Sequence, residues 1–160
     1  MSELRETLLQ HDFDAVKTYI QSGNLLVSTL LSPIETELQI QRLISERFGF
    51  SIEIIVYDEQ QLSNALADDP FDKQLPGNRV FLTLLKEKPT AERVNALEQL
   101  DLGEEKIEIK DQIVYFYLPM GMANSKLSNN FIEKQLQVKS TGRNRNTMER
   151  VLDLLKDFYE

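Results

Sequence analysis

The chain has 160 residues, 18 of them basic and 26 acidic, for a net charge of −8, with one histidine and no cysteine or tryptophan. The absence of cysteine excludes disulfides, thiolate zinc sites, iron–sulfur clusters and a cysteine nucleophile, and a single histidine removes the multi-histidine metal sites. No apolar run approaches the roughly 20 residues of a membrane-spanning helix, and the charged start MSELRETLLQHDFD has no apolar signal-peptide core, so the expectation is a cytoplasmic globular protein with no membrane partner.

Taken in chain order, residues 2–10 read as a short helix with Leu4 and Leu8 on one face. AVKTYI (15–20) and LLVST (25–29) read as strands joined by the turn residues QSGN. Ser32, Pro33 and Glu35 form a helix start, with an N-cap, a proline at the first position and an acid at the third. Ile40, Leu43, Ile44 and Phe48 continue at helical spacing, and Gly49 supplies the stop. SIEIIVY (51–57) reads as a strand and Gln60–Ala67 as a short helix.

DDPFDKQLPGN (68–78) is rich in proline, glycine and aspartate, and the lobe boundary is placed there: 1–70 and 71–160. RVFLTLL (79–85) reads as a strand, and Thr90 caps a helix reaching about Leu100. KIEIK (106–110) and QIVYFYL (112–118) read as a hairpin, and Asn124–Leu136 as a helix starting at Asn124 or Ser125. Met148, Val151, Leu152, Leu155, Phe158 and Tyr159 form the cleanest amphipathic pattern.

Both halves contain helix–strand–turn–strand–helix, the middle of a β-α-β-β-α-β unit. The expected fold is α+β: duplicated ferredoxin-like lobes, antiparallel sheets with helices packed on one face, the first lobe missing its opening strand. That strand is central in the topology, so either another segment takes its place or the chain is a truncated form, whose open edge a partner strand could fill.

Four segments, TYIQSGN (18–24), DDPFD (68–72), SKLSNNFIEKQL (125–136) and STGRNRNTMERV (140–151), resemble the bacterial domain-of-unknown-function family 1697 in order and spacing. The resemblance covers nearly the whole chain and implies two ferredoxin-like lobes in one α/β protein. It implies no activity. It also implies an extra opening strand and a glycine-rich loop with an arginine and an asparagine, which this sequence does not carry before Met1. A tryptophan of the family pattern is replaced here by Arg145.

Charge is uneven. Residues 1–80 hold 6 basic and 13 acidic groups, whereas Asn124–Arg150 holds six basic residues against Glu133 and Glu149, net +4. Within that basic segment STGRNRNT (140–147) leads into the last helix, with Asn146 as the expected cap and Glu149 completing a capping box. A helix N-terminus beside an arginine fork suits phosphate or carboxylate. The expected ligand-binding residues are therefore Ser22, Gly23, Asn24, Lys126, Arg143, Arg145, Asn146 and Thr147, and Gly23 allows the backbone to approach a ligand.

Other groupings are set against plainer readings. Ser125 and Lys126 are adjacent and do not face each other on a helix, so a serine–lysine dyad is not expected. Asp68, Asp69 and Asp72 read as turn residues before a cation site. Tyr115 and Tyr117 share a strand face that could stack RNA bases, but the glycine-containing strand motif is absent and burial is the plainer reading. His11 reads as a solvent-facing or capping residue before a catalytic one. No catalytic constellation, metal site or cofactor is expected.

The leading functional reading is a binding module for a small anionic, phosphate-bearing ligand. The alternatives are a protein-interaction or oligomerisation module working through the incomplete first lobe, and a single-stranded nucleic-acid-associated protein, which the overall −8 charge opposes.

Overall fold

The computed structural model describes residues 2–19 and 23–158. Contacts divide the chain into two units, 1–60 with 151–160, and 61–150. The proline- and glycine-rich stretch 68–78 lies inside the second unit.

The first unit starts with α1 (Ser2–Leu9), then a hairpin of β1 (Ala15–Tyr19) and β2 (Asn24–Ser28), then α2 (Pro33–Phe48). The strands pair antiparallel with Val16 opposite Val27 and Lys17 opposite Leu26. Alternation sends Leu25 and Val27 to one face and Leu26 to the other. On the first face they meet Leu4 and Leu8 of α1 and Ile40, Leu43 and Ile44 of α2. On the second, Leu26 packs with Leu154 and Leu155 of α6 (Arg145–Phe158).

Helix α2 has the expected ends. The Ser32 side chain accepts from the Glu35 backbone N–H, the Glu35 carboxylate accepts from the Ser32 N–H at 2.8 Å, and Gly49 closes the helix at φ 77°. The Ser32 backbone N–H, and after it the Ser32 side chain, hydrogen-bond the Glu35 carboxyl and hold it below the ordinary glutamate range.

SIEIIVY does not form the expected strand: residues 51–57 belong to neither sheet. Strand propensity reflects how side chains suit a pleated, half-buried surface, and it cannot supply a neighbouring strand. Among the described residues the first unit's sheet is the β1–β2 pair alone. The segment instead lies along α2, where the Gln41 side-chain amide donates to the Ile52 carbonyl at 3.1 Å and Ile54 packs into the core.

The second unit contains α3 (Glu59–Ala67, from Gln61 on), β3 (Val80–Leu85), α4 (Ala91–Glu98), β4 (Lys106–Lys110), β5 (Ile113–Tyr117), α5 (Asn129–Leu136) and β6 (Ser140–Asn144). Its sheet runs β4-β5-β3-β6, every neighbour antiparallel. This is the β-α-β-β-α-β arrangement complete. Val114, Phe116 and Leu85 face Leu97 of α4 and Ile132 and Leu136 of α5. Each such side chain contributes about 1.5–3 kcal/mol when fully buried. Tyr115 points to the other face, where its hydroxyl donates to the Ala65 carbonyl of α3 at 2.7 Å. Helices thus cover both sheet faces, one more layer than the sequence implied.

Two boundaries shift. Met122–Asn124 is a single 3-10 turn, and α5 starts after Ser128, whose side chain accepts from the Phe131 N–H at 3.2 Å. Residues 140–144, expected as loop, pair with β3 from Leu85–Ser140 to Phe81–Asn144. Their polar composition hides a strand recruited by the apolar β3 beside it. No described helix is long and apolar enough to cross a membrane.

Candidate functional site

The expected anion site is built around the start of α6, and the structure engages it internally. Asn144, the last residue of β6, caps the helix: its Oδ1 accepts from the Thr147 N–H at 2.8 Å. The Asn146 N–H donates to the Gly77 carbonyl at 3.4 Å, and the Asn146 side chain lies where a Cβ on residue 77 would stand. The cap expected at Asn146 therefore sits two residues earlier, because the strand carries the chain up to Asn144 before it turns.

Arg145 is not on the surface. Its side chain is 3% exposed and Asp69, its partner, 0%. Nε donates to Asp69 Oδ2 at 2.8 Å, Nη1 to the carbonyls of Asp72 and Leu75, and Nη2 to that of Phe71. The guanidinium thus fastens the DDPFDKQLPG loop from within. Asp69 Oδ1 accepts from the Phe71 N–H and Asp72 Oδ1 from the Gln74 N–H, so the aspartates serve the loop. No metal-ligating cluster occurs among the described residues.

Arg143 extends from β6, half-buried, with Nη1 donating to Thr141 Oγ1 at 3.1 Å and to the Gly142 carbonyl at 2.7 Å. Burial pushes its pKa below the usual arginine value. Lys126 points elsewhere, its ammonium 3.5 Å from the Asp101 carbonyl beyond α4. Ser125 Oγ accepts from the Leu127 N–H and forms no dyad with Lys126. Ser22 lies outside the described residues. Gly23, at φ 86°, takes the left-handed conformation suited to glycine, and the Asn24 amide closes the hairpin on the Tyr19 carbonyl at 3.2 Å. Of the predicted set, the structure brings together Arg145, Asn146 and Thr147 on one helical turn, with Arg143 just before them.

Tyr115 is fully buried, and the Tyr117 ring faces Phe71 at 6.3 Å. Tyr115 is therefore closed to base stacking, and Tyr117 is half-buried beside Phe71. His11 Nδ1 meets the Thr7 carbonyl at 2.8 Å at the end of α1, the capping position expected.

A second surface was not singled out by the sequence pattern. Leu30 is 100% exposed, Ile34 71% and Leu38 58%, at i, i+4 and i+8 along the entry and first turns of α2. At about 100° per residue, Ile34 and Leu38 fall more than 100° from the centre of the Ile40–Leu43–Ile44 core stripe. That angular offset is the signal available in the sequence. Gln41 continues the stripe and carries the Ile52 carbonyl. Ile52 and Phe50 are exposed, and the Phe50 ring lies 6.2 Å from that of Phe48. Single exposed apolar residues are ordinary; here five stand on α2 and the segments flanking it.

The chain belongs to the family described as "Protein of unknown function (DUF1697)", whose model matches residues 1–115. The segments at 125–136 and 140–151 lie beyond that span. No curated protein matches the chain. Among solved structures it is similar to a conserved bacterial protein from Streptococcus pneumoniae, at 20% identity and a TM-score of 0.76, covering 98% of this chain and 88% of that one. At this identity the likeness speaks for the fold alone.

Proposed function

We propose that this chain acts as a protein-interaction module whose docking surface is the outer face of α2. The observation that carries the reading is the pair Ile34 and Leu38, large aliphatic side chains open to solvent one turn apart on α2, with exposed Leu30 in the segment that enters the helix and exposed Phe50 and Ile52 in the segment that follows it. Leaving such groups in water forgoes about 1.5–3 kcal/mol each, which a partner's apolar surface recovers.

The competing reading, a small phosphate-bearing anion, draws on Arg143 and Lys126. The first is held by its own strand and the second rests on a carbonyl beyond α4. The helix-start amides of Asn146 and Thr147 already have acceptors. The weight therefore moves from the basic segment to the apolar face.

The test titrates the full chain with three probes by fluorescence anisotropy: a labelled helical peptide with leucines at i, i+4 and i+8, labelled polyphosphate, and a labelled single-stranded oligonucleotide. Saturable peptide binding is expected, weakened about tenfold for each of Ile34→Ser and Leu38→Ser. Binding of polyphosphate or oligonucleotide that Arg143→Ala abolishes, with no peptide binding, would return the function to the basic segment.

A further inference from the structure

We infer that the partner seated on the α2 face is a basic amphipathic helix of another protein. This rests on the interaction-module reading and adds the chemistry of the occupant. Residues 30–60, which build the face and its surroundings, carry six acidic and two basic residues, net −4. Projected at about 100° per residue, Glu37 borders the Ile34–Leu38 stripe on one side and Glu35 on the other, while Arg42 and Glu46 on the second flank neutralise each other. The Glu35 carboxylate is fixed in place by the Ser32 N–H at 2.8 Å. Arg42, on that same flank, is answered within the helix: its Nη1 donates to both Glu46 carboxylate oxygens at 2.9 Å. An apolar ridge with carboxylates on both sides matches a helix whose apolar stripe is edged by lysine or arginine.

A helix fits better than a strand because Ile34 and Leu38 stand about one turn apart along a helix axis. Side-chain ridges at that spacing interleave with those of a second helix. A second copy of this chain fits poorly. A two-fold pairing across this face would set one net −4 region against another, since such an interface brings the same patch of each copy together.

The experiment compares two labelled helical peptides with identical leucine spacing, one with lysine and arginine flanks and one with glutamate flanks. Each is titrated against the full chain at about 10 mM and about 1 M salt, where charge reaches roughly 30 Å and 3 Å respectively. The basic peptide is expected to bind at least about tenfold more tightly at low salt, and the gap to close at high salt. Glu35→Gln combined with Glu37→Gln is expected to narrow the gap at low salt; glutamine still serves the capping box, so α2 stays folded. Equal binding of both peptides, abolished by Leu38→Ser, overturns the charge inference and leaves the docking face standing. Binding of neither peptide overturns both. Sedimentation showing a concentration-dependent dimer that Leu38→Ser disperses would assign the face to a second copy and overturn the inference of a foreign basic helix.

Discussion

Replacing Arg145 by methionine separates two accounts of this residue by a wide margin. In the fold the guanidinium makes a 2.8 Å bond to a carboxylate with no solvent exposure and donates to three loop carbonyls. Methionine leaves the Asp69 carboxylate buried, with the Phe71 N–H still donating to it at 2.9 Å. Removing one member of a buried pair costs about 3–5 kcal/mol, because the other charge stays uncompensated. With a urea slope of about 2 kcal/mol/M, the midpoint falls by about 1.5–2.5 M. The melting temperature falls by roughly 6–20 °C on a scale of about 2–4 °C per kcal/mol for a chain of this size. The double variant Arg145→Met/Asp69→Asn neutralises both groups while keeping an acceptor for the Phe71 N–H. It is expected to recover about 1–3 kcal/mol of the summed single losses. The assay is equilibrium urea unfolding followed by circular dichroism. An arginine standing on the surface as an anion ligand would change stability by no more than about 0.5 kcal/mol. A loss below about 1 kcal/mol for Arg145→Met, or strict additivity in the double variant, would refute the buried-latch account.

Ser32→Ala removes the α2 cap, and a loss of about 1 kcal/mol is expected in the same unfolding assay. The Glu35 carboxyl loses only the smaller of its two Ser32 hydrogen bonds in that variant, so its midpoint should move only part of the way to the ordinary glutamate value when followed by carbon NMR. Its folded pKa lies below the unfolded one, so the contribution of this carboxyl is present above the ordinary glutamate range and lost as pH falls through the folded value. A Glu35 midpoint at the ordinary glutamate value in Ser32→Ala would sink the ranking of backbone over side chain. Gly142→Ala places a Cβ 2.9 Å from Asn129 Oδ1 and 3.0 Å from Thr83 Oγ1. Overpacking of this kind costs about 1–3 kcal/mol, and a neutral substitution would show that the β6–α5 contact is loose. Tyr115→Phe deletes the bond to the Ala65 carbonyl and should cost about 0.5–1.5 kcal/mol, again read from urea midpoints.

Elements with local causes were legible in the sequence. The α2 start at Ser32–Pro33–Glu35 and its stop at Gly49 are chemistry among residues close in the chain. So is the Thr90 cap of α4, whose side chain accepts from the Arg93 N–H. The strands 80–85, 106–110 and 113–117 carry enough apolar and β-branched residues to announce themselves. The duplicated helix–strand–turn–strand–helix order also followed from pattern alone, and the second unit completes it.

Elements whose cause lies far along the chain were not. Ser140–Asn144 is a strand because the apolar β3, sixty residues earlier by register, offers it a hydrogen-bonded edge. SIEIIVY has strand composition without a place in either sheet. Arg145 read as part of a surface anion fork because its position ahead of a helix is local information, while Asp69, which buries it, is 76 residues away. Composition, turns and caps set the elements and the α+β class of this protein, since those depend on neighbours a few residues apart. Tertiary packing decided which charges turn inward and which apolar side chains remain outside, because burial depends on contacts between residues that the chain brings together only on folding.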